Sequence, residues 1–223
     1  MAMPTNTLAT FQAIGNREDL SDMIYRIDPT DTPFLTGIDK TKASAVNHEW
    51  QTQALASADG TNAQLEGDDA AADATTVTAR KGNLCQISRK VPFVSGTQQA
   101  VDHAGRDDEM AYQEMLKGLE LKRDMETILL QNQKKVTGDT TTARKTGAIL
   151  SWIKTNSSTS GTDPGNSDGA TSRTDGTQRA FTETLLKSVL SSCWTSGGKP
   201  DTIMVGAFNK QIFSSFTGRA SPI

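Results

Sequence analysis

The chain has 223 residues, a formal net charge of −3, a hydrophobic share of 35% and an aromatic share of only 5%. The mild acidity argues against a dedicated nucleic-acid-binding protein, which would carry a basic face. No long apolar run predicts a membrane span, and the first residues lack the pattern of a secretory signal. A chain this poor in core-forming residues must complete its burial against neighbours or leave long segments unpacked.

Residues 16–38 predict a short amphipathic helix followed by an extended arm. Asn16 can cap the helix, and the apolar positions recur at helical spacing at Leu20, Met23, Ile24 and Ile27. The Asp28-Pro29 pair ends the helix, and the prolines keep the chain extended through Phe34 because proline fixes φ and restricts the residue before it. Such an arm buries little alone, so it needs a surface to lie on.

Residues 46–94 predict a long projecting β-hairpin. The period changes to two at Val46, so that His48 and Trp50 share one face of a strand. Further strand candidates are residues 75–79, which lead through Gly82-Asn83 into residues 84–94.

The charge of this hairpin is divided along its length. Residues 51–79 contain no Lys or Arg but five acids, namely Asp59, Glu66, Asp68, Asp69 and Asp73. Basic residues return directly afterwards with Arg80, Lys81, Arg89 and Lys90. We therefore predict an acidic tip and a basic base. A merely solvated loop is the alternative, and the length of the segment favours a binding function.

Residues 107–136 predict the longest helix. Acids crowd its start and Lys134 and Lys135 lie at its end, which matches the helix macrodipole. Its apolar residues drift around the helix instead of keeping a heptad, which argues against a coiled coil. About thirty residues at 1.5 Å each give a spine of about 45 Å.

The remainder predicts a loop-rich region and then an α/β layer. An apolar island at 148–153 precedes a flexible surface loop over 156–176. Thr182 caps a helix with the apolar stripe of Phe181, Leu185, Val189 and Cys193, and Gly197-Gly198 ends it. A short buried strand at 202–205 and a helix that carries Phe208, Ile212 and Phe216 and ends near Gly218 follow. Because that strand has no partner strands, we expect the layer to be truncated.

No residue pattern predicts catalysis, a cofactor or a metal site. His48 and His103 lie on different elements without metal-ligand spacing, and we expect His48 to be packed and His103 exposed. Cys85 and Cys193 are expected to be buried thiols in a reducing cytoplasm, and neither has a nearby base. The sequence contains no Gly-x-Ser-x-Gly elbow.

Three weaker patterns have simple explanations. Gly198-Lys199 lacks the first glycine and the Ser or Thr of a phosphate loop, so it is a helix stop. Asp163 and Asp168 lack the spacing and the bidentate Glu of a calcium loop, so a plain loop is favoured. A basic cluster is either a solvated face or a surface for nucleic acid or an acidic partner; it comprises Lys134, Lys135, Arg144, Lys145 and Lys154.

The order of these parts resembles the major capsid proteins of tailed bacteriophages with the Hong Kong 97-like fold. The stretches NREDLSDMIYRIDPTDTPFLTGI, HEW, LEGDDA, QISRKVPFVSGTQQAV and MVGAFNKQIFSSFTGRAS are similar to one coat-protein subgroup of that fold, and they cover nearly the whole chain in order. The resemblance implies an α+β chain with an N-terminal arm (1–45), an E-loop hairpin (46–94), a P-domain with the spine helix (95–137) and an incomplete A-domain (138–223). Family members run longer and return to the P-domain at their C-terminus.

The resemblance also implies a function. The expected role is a subunit that forms hexamers and pentamers of an icosahedral phage head around double-stranded DNA, without enzymatic activity. Expected partners are further copies, separate scaffolding, portal and cement proteins, and packaged DNA through non-specific contacts, with assembly in the host cytoplasm and no membrane. The expected inter-subunit contacts are Leu20, Ile24, Ile27, Phe34, Trp50, Glu66, Asp68 and Asp69.

Some coat proteins of this fold join neighbours by an isopeptide bond from a lysine on the E-loop. Residues 51–79 contain no lysine, and Lys81 lies near the base of the predicted hairpin. We therefore expect a shell held by non-covalent contacts or by a cement protein.

Two other classes remain as alternatives. Encapsulin nanocompartments share the fold but enclose cargo enzymes instead of DNA. An accessory virion protein or adhesin would use the Thr- and Ser-rich loops for binding, although the long charged helix argues against it. An enzyme is the weakest alternative, because no constellation of residues supports it.

Overall fold

A computed structural model describes residues 7, 9–10, 13–14, 16 and 19–217. It is a mixed structure of helices and one two-stranded sheet. The chain divides into two compact units, one formed by Met1–Pro33 with Arg89–Asp124 and the other by Phe34–Ser88 with Met125–Ile223. The elements in chain order are α1 (Pro33–Gly37), β1 (Asn47–Thr52), β2 (Ala79–Leu84), α2 (Gly96–Ala100), α3 (Glu109–Leu130), a 3-10 turn (Ile149–Ser151), α4 (Glu183–Thr195) and α5 (Ala207–Ser214).

The predicted helix in the arm is wrong over its described part. Residues 19–32 contain no helix, and residues 19–31 are all exposed. A helix of this length is marginal without a surface to pack on, which explains the loss of the predicted turns. The chain instead becomes helical at α1, where Pro33 occupies the first position and its fixed φ suits a helix start. Phe34 and Leu35 are therefore helical and not extended.

The hairpin is confirmed as two antiparallel strands, but it is shorter than predicted. β1 pairs with β2 from Asn47 opposite Leu84 to Thr52 opposite Ala79. Residues 53–78 form an exposed loop, and residues 85–94 form no strand. Gly82-Asn83 lies inside β2, and a Cβ at Gly82 would lie 2.9 Å from Cγ of Glu49.

The spine helix α3 has 22 residues, so it is about 33 Å long and not 45 Å. Its start agrees with the prediction, because the Asp108 carboxylate accepts a hydrogen bond from the Ala111 N–H at 2.9 Å. Its end is earlier than predicted, and Lys134 and Lys135 lie beyond it. Non-local backbone bonds replace the helical ones there, since the N–H of Lys135 donates to Gly169 O at 2.7 Å.

The predicted flexible surface loop is wrong in its centre, because this part of the chain is folded. Thr162 and Thr174 form a backbone bridge, and Pro164 between them is fully buried. The apolar island supplies the 3-10 turn, in which Ser151 is also fully buried. These residues form the small core of the unit that contains both strands.

The C-terminal helices follow the sequence signals, whereas the strand between them does not form. The Thr182 hydroxyl caps α4, and Gly197 at φ +82° ends it with the N–H of Gly198 bonded to Cys193 O. Residues 202–205 form no strand, and Met204 is 45% exposed instead of buried. A short strand without partners is not stable, which accounts for the difference. Gly218, the predicted end of the last helix, lies outside the described residues.

Candidate functional site

The main functional feature of this chain is the surface that it leaves unburied. Twenty-four large hydrophobic side chains of the described residues are exposed, among them Ile27 at 94% and Phe93 at 93%. Among the described residues, the buried apolar side chains are only Ala148 and Pro164. The sequence-based expectation that the chain cannot satisfy its own apolar residues therefore agrees with the structure.

The arm presents its apolar side chains to solvent. Leu20 and Ile24 are exposed, and Ile27 is 94% exposed. Phe34, in α1, differs from them because it is half-buried. The predicted arm contacts therefore comprise three exposed side chains and one partly covered side chain.

Helix α1 is held by a residue that the sequence analysis missed. The Glu126 carboxylate accepts hydrogen bonds from the N–H groups of Phe34 at 2.9 Å and Leu35 at 2.6 Å. These N–H groups lack intrahelical partners at the start of any helix, so a carboxylate there stabilises the helix. Glu126 lies 92 residues further along the chain, and no local signal indicates the contact.

Trp50 lies at the base of the hairpin and packs within its own chain. Its ring lies 5.3 Å from that of Trp152 and 6.3 Å from that of His48, and the side chain remains 38% exposed. Lys135 Nζ lies 5.9 Å from the Trp152 ring on this cluster. His48 is half-buried, as predicted. Trp50 thus holds the base of the hairpin through contacts within its own chain. The rest of its side chain is exposed to solvent.

Polar side chains anchor β2 to the folded loop region. The Asn83 amide donates to Gly147 O at 3.0 Å and accepts from the Gly147 N–H at 2.8 Å. Lys81 Nζ donates to Ser167 O at 2.7 Å, and Lys135 Nζ donates to Gly82 O at 3.0 Å. The base of the hairpin is therefore rigidly attached while its loop is free of the core.

The predicted basic cluster does not form a single free surface. Lys135 is used in the contacts above, and Arg144 donates through Nε to Cys85 O at 2.6 Å. Lys134, Lys145 and Lys154 are exposed. Two of the five predicted cations therefore bind their own chain, which weakens the case for a nucleic-acid surface.

The acidic loop is exposed along its whole length. Glu66, Asp68 and Asp69, the predicted contact residues at the tip, are all exposed. Asp59 in the same loop accepts hydrogen bonds from the hydroxyl and N–H of Thr61, and these bonds lower the pKa of its carboxyl group. The loop thus presents five acidic side chains, while residues 51–79 contain no Lys or Arg to pair with them.

The segment from 89 to 94 has one covered and one open face. Lys90 Nζ lies 2.8 Å from Asp124 and 3.8 Å from Glu120, and the hydrogen bond to Asp124 raises the pKa of Lys90. Val91 and Phe93 on the other face are 70% and 93% exposed. Lys90 thus fixes this segment on α3 and leaves an apolar face without a cover.

The residues of catalytic type are placed as structural groups. His103 is not exposed as predicted, since its side chain is only 7% exposed and its Nε2 lies 3.9 Å from the buried Glu109. His103 is covered because it belongs to a cluster around Glu109 at the start of α3. In this cluster Arg106 and Gln113 also donate hydrogen bonds to the Glu109 carboxylate. Cys85 and Cys193 are free thiols, half-buried instead of buried. The described part of the chain contains no group of three or more acidic, His or Cys side chains suited to a metal ion.

Across the same described range, no helix is long and apolar enough to cross a bilayer. Among known proteins, the profile of the SU10 major capsid protein family matches residues 3–222. The chain is also 32% identical over 249 aligned residues to the major capsid protein of Escherichia phage Phieco32, and this alignment covers 96% of the chain and 70% of the relative. The family match extends over almost the whole sequence, including the arm, the hairpin and both C-terminal helices. The chain therefore belongs to the SU10 major capsid protein family, a family of structural proteins of the bacteriophage virion.

Proposed function

We propose that this chain assembles into hexamers and pentamers that close an icosahedral phage head around double-stranded DNA. The observation that carries the proposal is the large set of exposed apolar side chains, 24 large hydrophobic residues among those that the structure describes. Ile27 and Phe93 belong to this set. Burial of such surface between copies is the main free-energy gain available to the chain.

The proposed fold is Hong Kong 97-like. In it, residues 1–45 form the arm, 46–94 the E-loop, 95–137 the P-domain and 138–223 the A-domain. The two-stranded hairpin with its long exposed loop and the rigid α3 helix support this division.

The proposed contacts between copies are the arm and the acidic loop. Leu20, Ile24, Ile27 and Phe34 would lie across one neighbour, while the acidic tip would dock on a basic surface of another. The exposed part of Trp50 would be covered at the base of the hairpin. Each charged contact is weak by itself, but a shell repeats it in every subunit.

Separate scaffolding, portal and cement proteins are the proposed partners, with packaged DNA bound through non-specific contacts and assembly in the host cytoplasm. An encapsulin-like shell or an accessory virion protein is not favoured, because both the family and the relative are major capsid proteins.

The test combines three substitutions at the acidic tip, Glu66→Gln, Asp68→Asn and Asp69→Asn. We expect heads with this change to dissociate more readily and to lose the salt dependence of their stability, because the screened contacts are gone. The control changes three exposed acids outside the arm and the acidic loop, Asp102, Asp175 and Asp201, to Asn, which alters the net charge equally. Heads of unchanged stability at every salt concentration in the tip variant would remove the proposed docking of the tip.

A further inference from the structure

Residues 89–94 have the pattern of a β-strand but no strand partner. From Val91 to Val94 exposed and half-buried side chains alternate, with Val91 and Phe93 outward; Arg89 and Lys90 are both exposed, and Lys90 is held on α3 by its ion pairs. This period of two is that of an extended chain. None of the backbone N–H groups of residues 89–94 donates a hydrogen bond to a described residue. Backbone donors left open in this way are a template for a further strand.

Pro92 determines which edge of this segment can accept a strand. In an extended chain, the N–H and C=O groups of alternate residues point to the same edge. The edge that includes Pro92 lacks one donor, because proline has no N–H. The other edge retains the N–H groups of Arg89, Val91 and Phe93 without a gap. A partner strand therefore has one complete edge to bind.

The acidic loop contains a matching segment. Residues 73–77 are exposed, and none of their N–H groups donates to a described residue. Asp73, Thr75 and Val77 alternate with the same spacing as Arg89, Val91 and Phe93. In a parallel alignment, the acid lies beside the cation and the valine beside the phenylalanine. An antiparallel alignment instead puts Asp73 beside Phe93 and Val77 beside Arg89, which matches neither charge nor polarity.

The connection between the two segments disfavours this pairing within one chain. Only eleven residues separate 77 from 89, near the minimum for a parallel crossover, and six of them form β2, which is fixed against β1. The loop segment is attached to its own hairpin through Gln53, whose Nε2 donates to Thr76 O at 2.9 Å, and this carbonyl keeps a second lone pair for the N–H of Phe93 in a partner strand. The open edge at 89–93 is therefore available to a strand from another molecule.

We propose that residues 73–77 of a second copy add as a parallel strand to the edge formed by Arg89, Val91 and Phe93. Asp73 of one copy then lies beside Arg89 of the next, and Val77 covers Phe93. This inference rests on the proposed assembly and identifies the surface that receives the acidic loop.

A charge exchange tests the pairing in heads purified from infected cells. Arg89→Glu and Asp73→Lys should each lower the yield of heads, by about threefold or more, because each places like charges side by side in every subunit. The double variant should restore the yield. The matched control combines Arg89→Glu with Asp59→Lys, the same charge change elsewhere in the loop, and should not restore it. A double variant no better than the singles, or equal rescue by Asp59→Lys, would overturn the pairing.

A disulfide tests the register independently. With Thr75→Cys and Val91→Cys in the same chain, mild oxidation of heads should give covalent dimers and longer chains on a non-reducing gel, since these residues are neighbours across the new strand pair. Each single variant controls for Cys85 and Cys193 and should remain monomeric. Intact heads without the cross-link would refute the inference while leaving the proposed assembly standing, whereas a failure of the unmodified chain to form heads would refute the assembly itself.

Discussion

At Gly169 the backbone has φ +73°, and a Cβ there would lie 2.8 Å from Cζ2 of Trp152. Trp152 also donates through Nε1 to Gly147 O at 3.2 Å and packs on Trp50. The absence of a side chain at Gly169 thus allows the loop region to close against the base of the hairpin. Only glycine adopts this backbone conformation without strain.

Gly169→Ala should therefore lower the free energy of unfolding by about 1–3 kcal/mol, from backbone strain and the clash with the indole. Urea unfolding followed by tryptophan fluorescence measures the change. Gly165→Ala in the same loop is the control, because φ there is not positive and nothing lies within 4 Å of a new Cβ. Equal unfolding midpoints for the two variants would contradict this account of Gly169.

Local signals explain which elements were predictable. Helix α4 was predicted with its cap and its end because Thr182 and Gly197 act on backbone groups within a few residues. The C-terminal end of α3 was not, because Lys135, inside the predicted helix, instead donates its N–H to Gly169 O, which lies far along the chain. The arm helix and the strand at 202–205 failed for the opposite reason, since their patterns need a packing surface that a single chain does not supply.

Helix α1 gives the prediction at this scale. Removing the carboxylate with Glu126→Ala leaves the N–H groups of Phe34 and Leu35 without their acceptor, at a cost of about 1–3 kcal/mol. Their amide hydrogens should exchange about tenfold or more faster, as measured by hydrogen exchange with mass spectrometry. Glu114→Ala, an exposed acid on the same helix, is the control and should leave the exchange of α1 unchanged. Identical protection in the two variants would show that Glu126 does not hold α1.

For the whole molecule, composition predicted more than periodicity did. The low apolar share and the acidic run at 51–79 correctly indicated a chain with much open surface and an exposed acidic loop. The anchors of the hairpin were missed, because Asn83 and Gly147 meet only after the chain has folded. The amount of exposed surface can be predicted from composition alone. Pairs of side chains that are distant in sequence cannot, because they meet only in the folded chain.

The position of Lys81 bears on how a shell of these chains is held together. Its amine donates to Ser167 O at 2.7 Å in the base of the hairpin. Residues 51–79, which form the projecting part, contain no lysine that could form an isopeptide bond. We therefore expect no isopeptide bond between subunits. Boiled heads on a reducing denaturing gel should give only monomer-sized coat protein; a ladder that persists with reductant present would show that an amine outside this loop is used.

Electron microscopy of heads purified from infected cells, combined with mass spectrometry of their shell protein, tests the central claim most directly. The account predicts closed icosahedral shells whose hexamers and pentamers consist of this chain, with its arm and acidic loop in contact with neighbouring copies. A coat protein that stays monomeric in the presence of the other phage head proteins, or shells built from a different protein, would contradict it.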